Sequence, residues 1–327
     1  MKEILLTGGL GFIGRNVLSK LVKKKIRVHL LVRPGKQIPK YAKTDLIHPI
    51  YTDLEQINNF ESEIRKRHFD TIFHIGAIRG GGEASREAYK KVNVEATEHL
   101  AKIALEKRAK FIYCSSVGVF GAIPKHLPPS EATERQKDNF YHTTKILAEE
   151  ELQTLKKKGL KFIIIRPSIT YGTNDFGFPY SLINMVNKGI FLNCAAPVKI
   201  NMVDIRTLSQ AFINAATTSL KNGSAFNLCD RSPIDLKALV NFISQHLFHS
   251  RYPRLKTLPT FTFRMGEFLF DKILKNELWK ARFQLVSRSW YYDPYPAMKA
   301  LAITPKETIP NFKYVIDWYQ NYSSIKQ

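Results

Sequence analysis

Short β-rich apolar runs alternate with amphipathic helical stretches through the first half of the chain, and this alternation constrains the fold more than any other feature. The runs are EILLTG (3–8), RVHLLV (27–32), TIFHIG (71–76), KFIYCSS (110–116) and KFIIIRP (161–167). Helical stretches over 12–24, 56–67, 86–107 and 140–158 lie between them. Strands separated by helices imply right-handed crossovers and a parallel sheet covered on both faces. The expectation is an α/β fold with a doubly wound parallel sheet over residues 1–166. After Pro167 the pattern loosens into short helices, loops and prolines, so residues 167–327 are expected to form mainly a smaller, interleaved C-terminal substrate-binding domain. SAFNLCD (224–230) reads as a strand that returns to the sheet. Residues 260–286 mix aromatic and basic side chains at roughly helical spacing. They read as one or two helices over the substrate cleft, or as a peripheral membrane contact.

A chain of 327 residues with 44% hydrophobic positions can bury a substantial core, in one large domain or two intimately joined ones. Its formal charge of +22, from 50 Lys and Arg against 28 Asp and Glu, attracts anions without naming one. The KKK runs at 23–25 and 156–158 are expected at helix C-termini, where cations complement the dipole. No nucleic-acid recognition motif accompanies the charge, so no nucleic-acid partner is expected. Cys114, Cys194 and Cys229 lack metal-ligand spacing, and three cysteines cannot close into a full disulfide set. No metal is expected. With an N-terminus, MKEILLTGG, that passes from a short strand straight into glycines, a cytoplasmic location is expected. No stretch is long and apolar enough to span a bilayer.

TGGLGFIG (7–14) places Gly8, Gly11 and Gly14 directly after the first strand and at the start of the first helix. Glycines at that spacing permit a tight turn and let the backbone approach a pyrophosphate, whose charge sits at the helix N-terminus. Dinucleotide binding is the expectation. The second strand ends in Arg33, where an acidic residue normally holds the adenosine ribose hydroxyls. A guanidinium there can grip a 2′-phosphate, with Lys36 as help, so NADP is favoured slightly over NAD. An exposed turn arginine is the plainer alternative. Asp53, in TDL, is placed to meet the adenine edge.

NFYHTTKILAEEEL (139–152) lacks Gly and Pro and puts Tyr141 and Lys145 one helical turn apart on one face. A phenol with a pKa near 10 is a poor base at neutral pH, and a neighbouring ammonium favours its phenolate form. Six ordered motifs then resemble the extended short-chain dehydrogenases/reductases, the NAD-dependent epimerase/dehydratase family: TGGLGFIG, HIGA (74–77), VNVEAT (92–97), SSVGVFG (115–121), YHTTK (141–145) and RPSITYG (166–172). The resemblance covers nearly the whole chain and implies a Rossmann fold. It assigns Tyr141 as the acid/base, Lys145 as the group that lowers its pKa and bonds the nicotinamide ribose, and Ser116 as a hydrogen-bond donor to the same substrate oxygen. Cofactor contacts are implied from Gly8, Gly11, Phe12, Ile13, Gly14, Asp53, Leu54, Gly76, Ala77, Tyr141 and Lys145, with Pro167 and Ser168 against the nicotinamide. Asn93 is expected to hold backbones in register, and Ser115 to satisfy local backbone. A homodimer through a four-helix interface that includes the Tyr141 helix is also implied. The RGGGE loop (79–83), with Arg79, and the GTNDFGF loop (172–178) are substrate walls or ordinary loops.

The chain departs from the family pattern in three places. Val117 and Gly118 follow Ser116 where dehydratases carry an acidic residue, which disfavours net dehydration. Thr207, in VDIRTLSQA, stands where aspartate is common and is read as a cap of the following helix. The 287–305 segment keeps Asp293 but has Ala302 at a usual glycine. The resemblance implies an NAD(P)-dependent oxidoreductase acting on a small-molecule secondary alcohol or ketone. A nucleotide-sugar epimerase is the alternative, and a non-catalytic NAD(P)-sensing protein a further one.

Overall fold

Seven strands make one parallel sheet: β1 (Glu3–Thr7), β2 (Arg27–Val32), β3 (Ile47–Tyr51), β4 (Thr71–His74), β5 (Lys110–Cys114), β6 (Phe162–Pro167) and β7 (Ala225–Leu228). Their order across the sheet is β3-β2-β1-β4-β5-β6-β7. The computed structural model describes residues 1–80 and 84–325. Along β1 the side chains alternate between two cores. Ile4 and Leu6 join Val17, Leu21 and Phe212 on one face, whereas Leu5 joins Ile72, Leu100 and Leu152 on the other. Both faces are covered by helices, so the strands read as continuous apolar runs rather than as alternating ones. The doubly wound Rossmann-like sheet is as expected.

One strand escaped the pattern reading. β3, IHPIY, carries Pro49, which lacks the amide that a central strand needs. It lies at the sheet edge, beside β2 only, where that loss is tolerated. The chain leaves the sheet after Pro167 and returns at Ala225, pairing β7 with β6 as the 224–230 run predicts. The lysine runs fall where expected, at the ends of helices Phe12–Lys23 and Phe140–Lys156.

The C-terminal half packs a second core that includes Tyr171, Leu182, Met202, Leu239, Trp290 and Ile316. A buried polar knot pins it together. Asp230 Oδ2 accepts from the Tyr171 hydroxyl at 2.6 Å and from Thr308 Oγ1 at 2.8 Å, and Asn311 Nδ2 donates to Asp204 Oδ2 at 2.7 Å. Asp204 also caps helix Ile205–Thr217, accepting from the Arg206 amide at 2.6 Å. Thr207 is therefore not the cap: it lies inside the first turn, buried, because the carboxylate three residues earlier already takes the free amide. Asp293 accepts from the Tyr295 amide at 2.9 Å, ahead of helix Tyr295–Leu301. That helix ends on Ala302 at φ +47, a left-handed position that suits glycine. The Ala302 side chain is exposed, so Ala302→Gly should stabilise the protein by roughly 1 kcal/mol, seen as a higher midpoint in urea unfolding.

Candidate active site

The glycine turn shapes a cradle at the point where the strand order reverses, the usual ligand crevice of an open α/β sheet. Gly8 has φ +68, and a Cβ there would lie 2.5 Å from the Gly76 backbone nitrogen. No side chain fits between the two loops. A Cβ on Gly14 would lie 2.0 Å from the Gly8 carbonyl oxygen, so helix Phe12–Lys23 starts in direct contact with the turn. Gly11 begins this helix with no side-chain cap and no acidic residue in the first turn. Its amides and its positive dipole end suit an anion such as a pyrophosphate. Phe12 and Ile13 are half-buried behind it.

The remaining cofactor candidates line the same rim. The Gly76 amide donates to Thr7 Oγ1 at 3.0 Å, Leu54 packs onto Gly76, and Ala77 beside it is exposed. Asp53 caps the short turn Leu54–Gln56, accepting from the Glu55 amide at 3.1 Å. Pro167 and Ser168 are buried where β6 ends. Ser168 Oγ has no hydrogen-bond partner among the described residues, although an unsatisfied buried hydroxyl costs about 1–3 kcal/mol. That orphan oxygen and the glycine cradle fit a dinucleotide with a carboxamide to satisfy. Arg33 and Lys36 are exposed on the turn that leaves β2, which the Lys36 amide closes by donating to the Arg33 carbonyl at 3.1 Å.

Ser116, Tyr141 and Lys145 come together from two segments. Ser116 ends β5's extension and caps the turn Val117–Phe120, its Oγ accepting from the Gly118 amide at 3.0 Å. Asn139 caps helix Phe140–Lys156 and so fixes where Tyr141 and Lys145 point. The Ser116 side chain lies close enough to the Tyr141 phenol to favour its charged form. Burial pushes the Tyr141 phenol well above its ordinary pKa, and Ser116 and Arg79 are foremost among the groups that pull it back. Lys145 is buried, its Nζ donating to the Cys114 carbonyl at 2.9 Å and lying 3.3 Å from the Tyr113 hydroxyl. Desolvation lowers its pKa to about 8, against the pull of Cys114 and Glu149.

The profile of the NAD dependent epimerase/dehydratase family matches residues 4–199. The chain belongs to that family. A ketoreductase of Stigmatella aurantiaca, acting on a farnesyl-bearing dihydroquinoline oxide, is 24% identical over 72% of this chain and 71% of its own length. A 3-beta-hydroxysteroid dehydrogenase of Mycolicibacterium neoaurum is 28% identical over 68% of this chain and 63% of its own length. The solved UDP-glucose 4-epimerase of Thermotoga maritima superposes with a TM-score of 0.74 at 18% identity, over 98% of this chain and 99% of that one. Membership places the chain among NAD-dependent enzymes whose relatives include both epimerases and dehydrogenases or reductases.

For this family member the two loops read as substrate walls do meet. Arg79 Nη1 lies 3.6 Å from Asp175 Oδ1, and Arg15 Nη2 donates to the Thr173 and Asn174 carbonyls at 3.0 and 2.9 Å. Gly80 packs against the Tyr141 ring; Gly81, Gly82 and Glu83 lie outside the described residues. Asn93 acts as expected, accepting from the Ile78 amide at 2.8 Å and donating to the Ile78 carbonyl at 2.9 Å and Thr144 Oγ1 at 3.1 Å.

Ser115 does not. Its hydroxyl donates to Glu149 Oε1 at 2.6 Å, because the helix face that carries Lys145 also brings the carboxylate over the strand end. Glu149 is buried and is gripped by Arg166 Nε at 2.8 Å, Arg166 Nη2 at 2.6 Å and Arg135 Nη1 at 2.8 Å. Those cations hold its carboxyl below the ordinary range despite burial. The sequence signal was an arginine at the end of the apolar run KFIIIRP and a glutamate one turn after Lys145. His74 was also missed. It lies between Thr7 Oγ1 at 2.7 Å and Thr97 Oγ1 at 2.9 Å, and burial lowers its pKa to about 3, so it is neutral and ties β1, β4 and the following helix together. Thr97 in turn donates to the Asn93 carbonyl at 2.8 Å.

Proposed function

We propose that this chain is an NAD(P)-dependent oxidoreductase that moves a hydride between nicotinamide and the carbon of a secondary alcohol or ketone. The observation that carries the reading is the approach of Ser116 to the Tyr141 phenol, whose pKa it lowers: two hydroxyl side chains lie beside one another, with a buried ammonium one helical turn away. A substrate oxygen held by both hydroxyls can exchange a proton with Tyr141, while Ser116 stabilises charge that develops on it. Bound nicotinamide supplies or accepts the hydride. In this reading Lys145 holds the cofactor ribose and supports the phenol, and Ser168 satisfies a carboxamide.

Net dehydration is disfavoured by packing as well as by sequence. A Cβ on Gly118 would lie 2.3 Å from the His142 ring, so a carboxylate side chain has no room there. The ketoreductase and steroid dehydrogenase relatives support a carbonyl or secondary hydroxyl on a largely apolar molecule as the substrate class. The second reading is a nucleotide-sugar epimerase, favoured by the exposed Arg79 guanidinium at the site mouth, which suits a diphosphate. Purified protein offered ketones, sterol-like alcohols and nucleotide sugars separates the two. A dehydrogenase changes nicotinamide absorbance in step with product. Turnover of a nucleotide sugar with no net absorbance change would establish the epimerase instead.

Cofactor choice rests on Arg33, which we assign to the 2′-phosphate of NADP(H). Among the described residues it has no ion-pair partner of its own. Arg33→Ala should weaken NADP(H) roughly ten- to a hundredfold, the worth of one hydrogen bond to a charged group, and leave NAD(H) nearly unchanged. Nicotinamide fluorescence titrations measure both. Equal losses would mean that Arg33 stacks on the adenine and selects neither cofactor.

A further inference from the structure

Nine of the sixteen exposed large apolar side chains in the described chain lie between residues 255 and 279, which makes this segment unlike the rest of the surface. It is a helical hairpin. Helix Thr260–Phe268 runs through the turn Leu269–Ile273 and folds back as helix Glu277–Ser287. The inner side is well packed: Phe263 is buried, a Cβ on Gly266 would lie 2.4 Å from the Phe283 ring, and Phe270 stacks between Trp279 and Phe283 at 5.6 Å from each. The outer side is apolar too. Phe261, Met265 and Phe268, at i, i+4 and i+7, are 60%, 65% and 60% exposed, and Ile273, Leu274 and Trp279 continue the stripe. A soluble surface rarely leaves so many large apolar side chains together without a partner.

We propose that this outer face seats on an anionic lipid surface. The charges beside the stripe decide the occupant. Arg264, Lys275 and Arg282 are exposed and have no carboxylate partner among the described residues, whereas Glu267 is taken by Arg288 and Gln284, and Asp271 by Lys280 and Lys272, which leaves Glu277 as the single free exposed carboxylate of the hairpin against three such cations. Arg254 flanks Leu255, which is 94% exposed, at the foot of the hairpin. A second copy docked on this face by a twofold axis would gather six of these cations with only two free carboxylates into one interface, in a chain of formal charge +22. Anionic headgroups satisfy them, and each basic side chain near such a surface strengthens binding severalfold. No helix among the described residues is long and apolar enough to cross a membrane, so the hairpin lies on the surface with its aromatic side chains at the headgroup level. Its root, through Phe263, belongs to the same buried cluster as Val117 and Phe120 beside Ser116. A substrate that partitions into lipid would thus reach a site anchored to the membrane-facing element.

Vesicle co-sedimentation tests the assignment, using phosphatidylglycerol-containing and pure phosphatidylcholine vesicles at low and high salt. The parent should bind the anionic vesicles, lose that binding at high salt, and bind the neutral ones weakly. Replacing Arg264, Lys275 and Arg282 together by glutamine should weaken anionic binding about a hundredfold. The Phe261→Ser, Met265→Ser, Phe268→Ser triple variant should abolish it. Retained dinucleotide binding shows that each variant is folded, and the lipid readout does not depend on which reaction the site performs. Equal sedimentation of parent and serine variant would overturn the proposal. So would a parent that ignores both vesicles but forms an oligomer that the serine variant breaks, because the face would then be a subunit interface.

Discussion

Tyr141→Phe should keep cofactor affinity and lose roughly 10²–10⁴-fold in turnover. The ring packs against the Gly80 backbone, and phenylalanine preserves that contact. What disappears is the phenol oxygen that lies beside Ser116. Because burial holds the phenol well above its ordinary pKa, it stays protonated at neutral pH, the form that donates to a carbonyl oxygen. Ketone reduction should therefore suffer at least as much as alcohol oxidation. Steady-state rates in both directions, with cofactor titrated separately, check the claim. Unchanged turnover would remove Tyr141 from the chemistry.

Glu149→Ala should destabilise the fold by about 3–5 kcal/mol, the cost of removing one partner from a buried ion pair. The loss is large because Arg166 is itself buried and makes both of its side-chain hydrogen bonds to this carboxylate. The sign of the pH effect follows from the depressed carboxyl pKa. The stabilisation is present above the unfolded value and is lost as pH falls through the folded one. Urea unfolding at neutral and acidic pH should show the two proteins converge as acid is added. Pairing Glu149→Leu with Arg166→Met should recover part of the loss, since no buried charge is left alone on Arg166. There is a functional signature too. Glu149 raises the Lys145 pKa, so its removal should move the Lys145 titration below about 8. A structural role alone would leave that titration where it is.

The sequence by itself determined whatever depends on near neighbours. Strand, glycine turn and helix follow one another within residues 3–23, and their local geometry makes a phosphate cradle wherever they occur. Tyr141 and Lys145 share a face because a helix has 3.6 residues per turn, approximately, whatever surrounds it. Family membership was legible because six such short motifs keep their order. What only the tertiary structure decided is which groups meet across long separations, and what burial then does to them. Pro49 hides a strand that is allowed only because β3 falls at the sheet edge. Arg166 reads as an odd charge in an apolar run until β6 lies under Glu149. Ser115 and Ser116 are adjacent, yet strand alternation sends one to a buried carboxylate and the other to the Gly118 amide on the side of Tyr141. The spacing of Tyr141 and Lys145 points to a phenol tuned downward by its lysine. Burial penalises the charged forms of both, and no pattern along the chain records how deeply a side chain is buried.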